Sequence, residues 1–172
     1  MRTKWFGKVV ISERFKSDLG KVIEMKKIGK RDILLLQALR TNARLSLTQM
    51  SRQTHIPIST LFDKLKAHEK DIILKHTTII DFSHIGYDTK VQFLIRAPST
   101  IRDRLRSHLS SLQEVNTVLG ITNGFDFLVE GIFQKVADAH HFKNNLEKNF
   151  SEIECHTHFV VEDIKREGFF AA

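Results

Sequence analysis

The stretch that decides the fold is LSLTQMSRQTHIPISTLFDKLK, residues 45–66. Within it, SLTQ at 46–49 has the spacing of a capping box, which opens a helix, and Pro57 fits the first position of a second helix. Leu61 and Leu65 lie four residues apart and therefore face the same side of that second helix. Two short helices joined by a tight turn, the second with hydroxyl residues at its start and lysines at its end, are typical of a helix-turn-helix that presents its second helix to DNA.

The side of the second helix turned away from its leucines is predicted to face the DNA. Hydroxyl groups bond to phosphates or base edges, and lysines neutralise phosphate charge. Asp63 has two interpretations, because it can accept a hydrogen bond from cytosine N4 or be an ordinary exposed carboxylate. The predicted DNA-binding residues are Ser46, Ser59, Thr60, Asp63, Lys64 and Lys66. The alternative for the whole set is a solvated helix face.

The N-terminal side of this stretch is basic, and its apolar spacing predicts two more helices, at about residues 13–27 and 31–40. The net charge of the chain is +7, and residues 1–31 hold 10 Lys/Arg against 3 Asp/Glu. Residues 32–88 balance at +1 and residues 89–172 at −1. The excess charge therefore sits at the N-terminus, where it attracts phosphates. Residues 1–27 are a basic extension, predicted to be helical, that either contacts DNA or packs on protein.

The C-terminal side of the stretch changes from a helical to a β-prone pattern after Asp71. Residues 72–74 and 77–80 are predicted to pair as a small wing, and residues 81–86 have the composition of a connection. We therefore expect a winged helix-turn-helix domain at residues 28–82 and a second domain at residues 83–172.

The second domain alternates strands and helices. Strands are predicted at residues 91–95, 115–121, 125–133 and 153–161, and helices at residues 98–112 and 136–150. Asn123-Gly124 is a strong hairpin turn signal between the second and third strands. The order β-α-β-β-α-β is the ferredoxin-like arrangement, which makes the whole chain α+β, with a four-stranded antiparallel sheet and two helices on one face. Apolar side chains on the other face are predicted to meet a second copy of the protein.

This order of elements resembles the leucine-responsive and asparagine-regulator family (Lrp/AsnC, or feast/famine) of prokaryotic transcription factors. The resemblance covers about residues 28–163. Its matching segments are RDILLLQAL at 31–39, ARLS at 43–46, ISTL at 58–61, IGYD at 85–88 and GITNGFDFLV at 120–129. The order and spacing of these segments are more specific than any one of them.

The resemblance implies a transcriptional regulator and not an enzyme. Its N-terminal domain would bind double-stranded DNA, and its C-terminal domain would join copies through the sheet into dimers, which in the family often assemble into tetramers or octamers. Small effectors, commonly amino acids, often bind between C-terminal domains of the family, near the segment that matches residues 120–127. The implied effector-binding residues are Thr122, Asn123, Gly124 and Asp126. Asp126 would either bind the amine of the effector or bond to its own turn.

The chain departs from the family pattern at four positions. His55 stands where the family has a glycine in the turn, and Ile72 stands where it has a glycine before the wing. His68 occupies a usually apolar position near the end of the recognition helix, and Asp63 occupies a frequently basic one. These changes are predicted to alter the turn and to weaken or redirect the contact with DNA.

Two alternatives to an effector-controlled regulator stay open. Relatives that resemble sirohaem decarboxylases share the two-domain plan and need histidines and arginines that converge on tetrapyrrole carboxylates. Arg96, Arg102, His108 and His156 are the candidates here, but no motif joins them. In the other alternative, the C-terminal domain serves assembly alone and binds no effector.

Composition argues against several other classes of protein. No apolar run approaches the length of a membrane span, and the first residues lack the apolar region of a signal peptide. Cys155 is the single cysteine, so no internal disulfide can form, as expected in a reducing cytoplasm. No familiar ligand spacing joins the histidines, so the sequence predicts neither a metal site nor a cofactor.

Overall fold

The structure, a computed structural model, describes residues 28–170. Its contacts divide the chain into two compact units. The N-terminal unit comprises, among the described residues, 28–78 and 165–170, and the sheet unit is Ile79–Ile164. The C-terminal residues belong to the first unit, in which Arg40 donates hydrogen bonds to the carbonyl oxygens of Glu167 and Phe169 at 2.8 and 3.1 Å. The helix predicted at residues 13–27 lies outside the described residues, and the domain boundaries predicted from the sequence stay predictions.

The described part of the N-terminal unit contains three helices: α1 (Lys30–Thr41), α2 (Leu47–Thr54) and α3 (Ile58–Asp71). The capping box before α2 forms as predicted. The Ser46 N–H donates to Gln49 Oε1 at 2.9 Å, and the Gln49 N–H donates to Ser46 Oγ at 3.2 Å. The core between the helices is apolar and consists of Leu35, Met50, Ile56 and Leu61. Apolar spacing and caps therefore located these helices to within a residue or two.

The turn between α2 and α3 depends on the backbone of His55. This residue has φ +55° and ψ +27°, which is the left-handed conformation, and its N–H donates to the Ser51 carbonyl at 2.9 Å. Glycine adopts that conformation without strain, whereas for other residues it costs about 1 kcal/mol of conformational free energy. The turn thus keeps a glycine-like backbone at the position where the resemblance expects glycine.

The predicted wing is wrong, because the described residues between Ile72 and Asp81 form no strand. The N–H groups of Ile72 and Ile73 both donate to the His68 carbonyl at 2.8 Å, so the end of α3 uses the donors that a first wing strand needs. Leu74 is 97% exposed, so no apolar surface of the described residues covers it. A two-stranded hairpin is only marginally stable without such packing. The predicted connection at residues 81–86 instead contains a short 3₁₀ helix, Phe82–Ile85.

The sheet unit has the predicted order of elements. These are β1 (Thr89–Arg96), α4 (Arg102–Ser111), β2 (Val115–Gly120), β3 (Phe127–Phe133), α5 (Val136–Asn149) and β4 (Glu154–Phe159). The strands lie in the order β2-β3-β1-β4, and all three pairings are antiparallel. Helix α4 begins at Arg102, whereas the sequence predicted a start at Pro98. Residues 98–101 form a turn instead, in which the Ile101 N–H donates to the Pro98 carbonyl at 3.2 Å.

The two faces of the sheet differ in cover. One face packs against α4 and α5, and its residues alternate along the strands as β structure requires. That core includes Val91, Phe93, Ile95, Phe127, Val129, Leu105, Leu109 and Leu146. The opposite face, which we call the open face, carries Leu94 of β1 beside Leu128 of β3, which in turn pairs with Leu119 of β2. Leu119 is 48% exposed, so the open face keeps apolar surface in contact with solvent.

Candidate nucleic-acid interface

Helix α3 has one buried side and one exposed side, and the exposed side is the candidate interface. Leu61 is fully buried and His68 is 3% exposed, so these residues mark the inner side. We call the opposite side the outer face of α3. Its exposed residues are Ile58, Ser59, Phe62, Asp63, Lys66, Glu69 and Lys70. Helical geometry explains the set, because the first four recur at spacings of one, three and four residues along one side.

Two of the predicted DNA-binding residues are turned away from the outer face. Thr60 and Lys64 lie four residues apart on the flank of α3, and both are partly buried. Ser59, Asp63 and Lys66 are exposed as predicted. The structure therefore brings together three of the five predicted residues of α3, and it separates the other two from them.

Lys64 belongs to a partly buried polar cluster that joins α1 to α3. Its Nζ donates to Asp32 Oδ1 at 2.7 Å, and His68 Nε2 lies 2.8 Å from the same oxygen. The Gly29 N–H donates to the other carboxylate oxygen at 2.9 Å, which caps the start of α1. The hydrogen bond from Lys64 is the largest cause that lowers the pKa of Asp32, from 3.8 to about 2. Asp32 therefore holds two positions of α3 at once.

Ser46 lies at the N-terminus of α2, and its hydroxyl is part of the capping box. The Ser46 Oγ accepts from the Gln49 N–H at 3.2 Å and donates to Gln49 Oε1 at 3.0 Å. The residue is exposed. A contact to phosphate would share this hydroxyl with the cap, since a hydroxyl has one donor and two acceptor positions.

The two units carry opposite net charge. The helical part of the N-terminal unit, residues 28–78, holds nine Lys/Arg against four Asp/Glu, a balance of +5. The sheet unit, residues 79–164, holds eight against twelve, a balance of −4. Attraction of polyanions is therefore a property of the N-terminal unit, and the outer face of α3 lies within it.

The hairpin between β2 and β3 contains the residues that the resemblance implies for effector binding. Asn123 and Gly124 have φ of +66° and +102°, as the Asn-Gly turn signal predicts. Thr122, Asn123 and Gly124 are exposed. The Asp126 carboxylate is already engaged, because Oδ2 accepts from the Ala97 N–H at 2.8 Å and Oδ1 pairs with Arg102 at 2.9 Å.

The comparisons with known proteins agree with this architecture. No family model matches the chain. An uncharacterised HTH-type transcriptional regulator of Pyrococcus abyssi is 20% identical over 141 residues, which is 81% of this chain and 96% of the relative. The structure of E. coli AsnC superposes with a TM-score of 0.72 at 20% identity and covers 82% of this chain and 97% of AsnC. A transcriptional regulator of Neisseria meningitidis in complex with L-Met gives 0.73 at 20% identity, with 80% and 92% covered.

This chain has the AsnC-type fold. The structural neighbours are regulators of the kind that the sequence resemblance named. Within this fold, the departure at His68 has a physical explanation. The imidazole is buried, as the apolar residue that the resemblance expects there would be, and its Nε2 meets Asp32 from α1.

Sequence reasoning missed one prominent residue of the candidate interface in this AsnC-type fold. Phe62 is 52% exposed and lies on the outer face of α3 beside Ile58, which is 46% exposed. The signal was available, because Ile58, Phe62 and Lys66 follow one another at intervals of four residues. The stripe of Leu61 and Leu65 already supplies the inner side, so a second apolar pair must lie elsewhere on the helix.

The four residues suggested for tetrapyrrole binding do not share a face. His156 lies on the open face, where it pairs opposite Leu94, whereas the His108 ring contacts the Phe150 ring on the helical side of the sheet, with ring centroids 5.3 Å apart. Arg96 pairs with Glu154 at 2.7 Å, and Arg102 pairs with Asp126. Both guanidinium groups thus already have carboxylate partners from the protein itself.

The described residues show neither a cluster of metal-ligating side chains nor a reactive thiol. Among residues 28–170, no group of three or more His, Cys, Asp or Glu side chains is placed to hold a metal ion. Burial raises the pKa of the Cys155 thiol to about 11, so the thiol stays protonated and a poor nucleophile. In the same described range, none of the helices has the length and apolarity that crossing a bilayer requires.

Proposed function

We propose that this protein is a sequence-specific regulator of transcription that binds double-stranded DNA. Helices α2 and α3 form its helix-turn-helix, and α3 enters the major groove. The observation that carries the proposal is the two-sided character of α3, whose leucines pack on α1 and α2 while its other side is free for DNA. The HTH-type regulators among its relatives support the same function.

The outer face of α3 has the chemistry that base and backbone recognition need. Ser59 and Asp63 offer hydrogen-bonding groups to base edges, and Lys66 and Lys70 offer positive charge to phosphates. Lys64 has a different role in the proposal, because its ammonium group neutralises Asp32. The +5 balance of residues 28–78 supplies attraction that does not depend on the DNA sequence.

The open face of the sheet unit joins two copies in this proposal. Leu94, Leu119 and Leu128 form a continuous apolar strip there, and burial against an identical strip removes it from water. A two-fold dimer presents two recognition helices, which bind half-sites about one helical turn apart. The bound sites should therefore be pseudo-palindromic. In the family that the chain resembles, such dimers often assemble further into tetramers or octamers.

A small effector, an amino acid in the simplest case, modulates binding in this proposal. The support is the neighbour of known structure that was solved with L-Met, together with the exposed hairpin residues Thr122, Asn123 and Gly124. Asp126 would contribute indirectly, because Ala97 and Arg102 already occupy its carboxylate. Thermal shifts against a panel of amino acids would separate this regulator from one that senses nothing.

The test of the function is selection of bound fragments from genomic DNA at physiological salt. A regulator of this kind should enrich fragments that share a pseudo-palindromic motif, with affinity that falls steeply as salt rises. Enrichment without a shared motif would contradict sequence-specific regulation.

A charge reversal on the outer face tests the role of α3 directly. Lys66→Glu should weaken binding to the selected motif about tenfold, since it removes a phosphate contact and adds repulsion. Lys148→Glu, the same change on the exposed surface of α5, is the matched control and should leave binding unchanged in fluorescence anisotropy. Lys64→Glu is a poor test of DNA contact, because it would set a second carboxylate against Asp32 and is expected to disturb the fold.

A further inference from the structure

The outer face of α3 contains an apolar pair that packing within the described chain does not explain. Phe62 and Ile58 lie one helical turn apart and are 52% and 46% exposed. The core between α1, α2 and α3 is completed by other residues, among them Leu61 and Leu65. A half-exposed phenylalanine in the second turn of the helix therefore points to a partner outside the unit.

We propose that Phe62, supported by Ile58, recognises the 5-methyl group of thymine in the major groove. This inference rests on the proposed DNA-binding function and adds a specificity-determining residue to it. Thymine is the one DNA base with a methyl group on its major-groove edge, and apolar side chains, phenylalanine among them, read it by contact.

The surroundings of Phe62 fit DNA better than they fit an apolar partner. Ser59 and Asp63 flank the ring with hydrogen-bonding groups, and Lys66 follows one turn later with positive charge. The major groove has the matching arrangement, in which thymine methyls lie among hydrogen-bonding base edges and between two rows of phosphates. A protein partner would be expected to cover a larger apolar area than these two side chains offer.

The position of Asp63 predicts a second base of the DNA half-site. It is adjacent to Phe62 in the chain and exposed on the same face. A carboxylate accepts from the N4 amino group of cytosine and repels phosphate, so its place is at a base edge. The geometry therefore predicts that each half-site contains a thymine close to a cytosine.

The experiment removes single methyl groups from the DNA and not from the protein. In the selected motif, each thymine is replaced in turn by deoxyuridine, which lacks only the 5-methyl group, and affinity is measured by fluorescence anisotropy. Wild-type protein should lose about threefold to tenfold at one thymine position of the half-site, the size expected for one buried methyl per half-site. Phe62→Ala should bind thymine and deoxyuridine versions of that position equally.

Two further variants distinguish a loss of methyl recognition from a general loss of folding. Phe62→Leu keeps apolar surface and should retain part of the thymine preference. Leu34→Ala removes a comparably exposed apolar side chain, 42% exposed, from α1 and should keep the full preference. Far-UV circular dichroism on each variant verifies that helix content is unchanged.

The outcomes separate failure of this inference from failure of the proposed function. If no motif is enriched in the selection, the DNA-binding function itself is wrong. If a motif exists but wild-type protein tolerates every deoxyuridine substitution, methyl recognition by Phe62 is overturned. The same conclusion follows if Phe62→Ala keeps the thymine preference, or if it dissociates the oligomer, because Phe62 would then contact protein.

Discussion

At the scale of single residues, Asp32 connects α1 to α3 beside the candidate interface. It is 8% exposed and accepts hydrogen bonds from Lys64, His68 and the backbone of Gly29. A buried carboxylate without such partners would be strongly unfavourable, so the three contacts are what permit its position. Through Lys64 and His68, it sets the rotation of α3 about its own axis.

The folded state should lose the contribution of Asp32 in acid. Its pKa in the folded protein is lowered from 3.8 to about 2, so the carboxylate stabilises the fold above about pH 4. That stability is lost as the pH falls from about 4 to 2. Asp32→Asn should lower the free energy of unfolding by about 1–3 kcal/mol at neutral pH and should flatten its decline in that acidic range.

Amide hydrogen exchange of α1 and α3 at pH values on both sides of this range measures the effect locally. Asp88→Asn, at an exposed position of the sheet unit, controls for the loss of one carboxylate. An acid response of Asp32→Asn identical to that of wild-type protein would show that another group governs it.

At the scale of secondary structure elements, the packing of β3 against the core of the sheet unit depends on a glycine. Gly131 faces the core of the sheet unit, and the ring of Phe133 folds back over it. A Cβ atom at Gly131 would lie 2.6 Å from Phe133 Cε2 and 3.3 Å from Phe93 Cε2. The two rings meet edge to face, with centroids 6.2 Å apart. This contact requires glycine at position 131, because a side chain there would collide with the rings.

Alanine at this position should destabilise the sheet unit by overpacking. We expect Gly131→Ala to lower the free energy of unfolding by about 1–3 kcal/mol in urea denaturation followed by circular dichroism. Gly120→Ala is the matched control, since a Cβ there meets nothing within 4 Å, and it should change stability by less than about 0.5 kcal/mol. Equal effects of the two substitutions would contradict the packing argument.

At the scale of the whole molecule, the described residues form a basic N-terminal unit and an acidic sheet unit, and the open face of the sheet exposes Leu119. Residues 28–78 balance at +5 and residues 79–164 at −4. In the proposed function, polyanion binding and self-association therefore belong to different units. The proposed dimer uses apolar surface of the sheet unit, and the proposed DNA contact uses the outer face of α3.

A charge placed on the open face should separate the protomers. Leu128 lies between Leu94 and Leu119, so Leu128→Lys should reduce the mass measured by sedimentation velocity, because a buried unpaired ammonium is strongly unfavourable. Val136→Lys, at a 51% exposed position on α5, should leave the mass unchanged. An unaltered mass for Leu128→Lys would place the interface elsewhere.

Much of the fold followed from the sequence, because the signals involved are local. The capping box at Ser46 and Gln49 connects residues three positions apart, and strand alternation and the Asn123-Gly124 turn are read within a few residues. The order β-α-β-β-α-β and the inward side of α3 were predictable for that reason. Small errors, such as the late start of α4, arose at element ends, where local preferences are weakest.

The tertiary structure alone decided which predicted residues are available to a ligand. Lys64 is withdrawn from the outer face by Asp32, 32 residues away, and Asp126 is engaged by the backbone of Ala97, 29 residues away. The wing fails because no apolar surface of the described residues covers Leu74, although its residues favour strands. Contacts between distant residues set the orientation of each side chain, and a pattern within one segment carries no information about the partner that folding brings beside it.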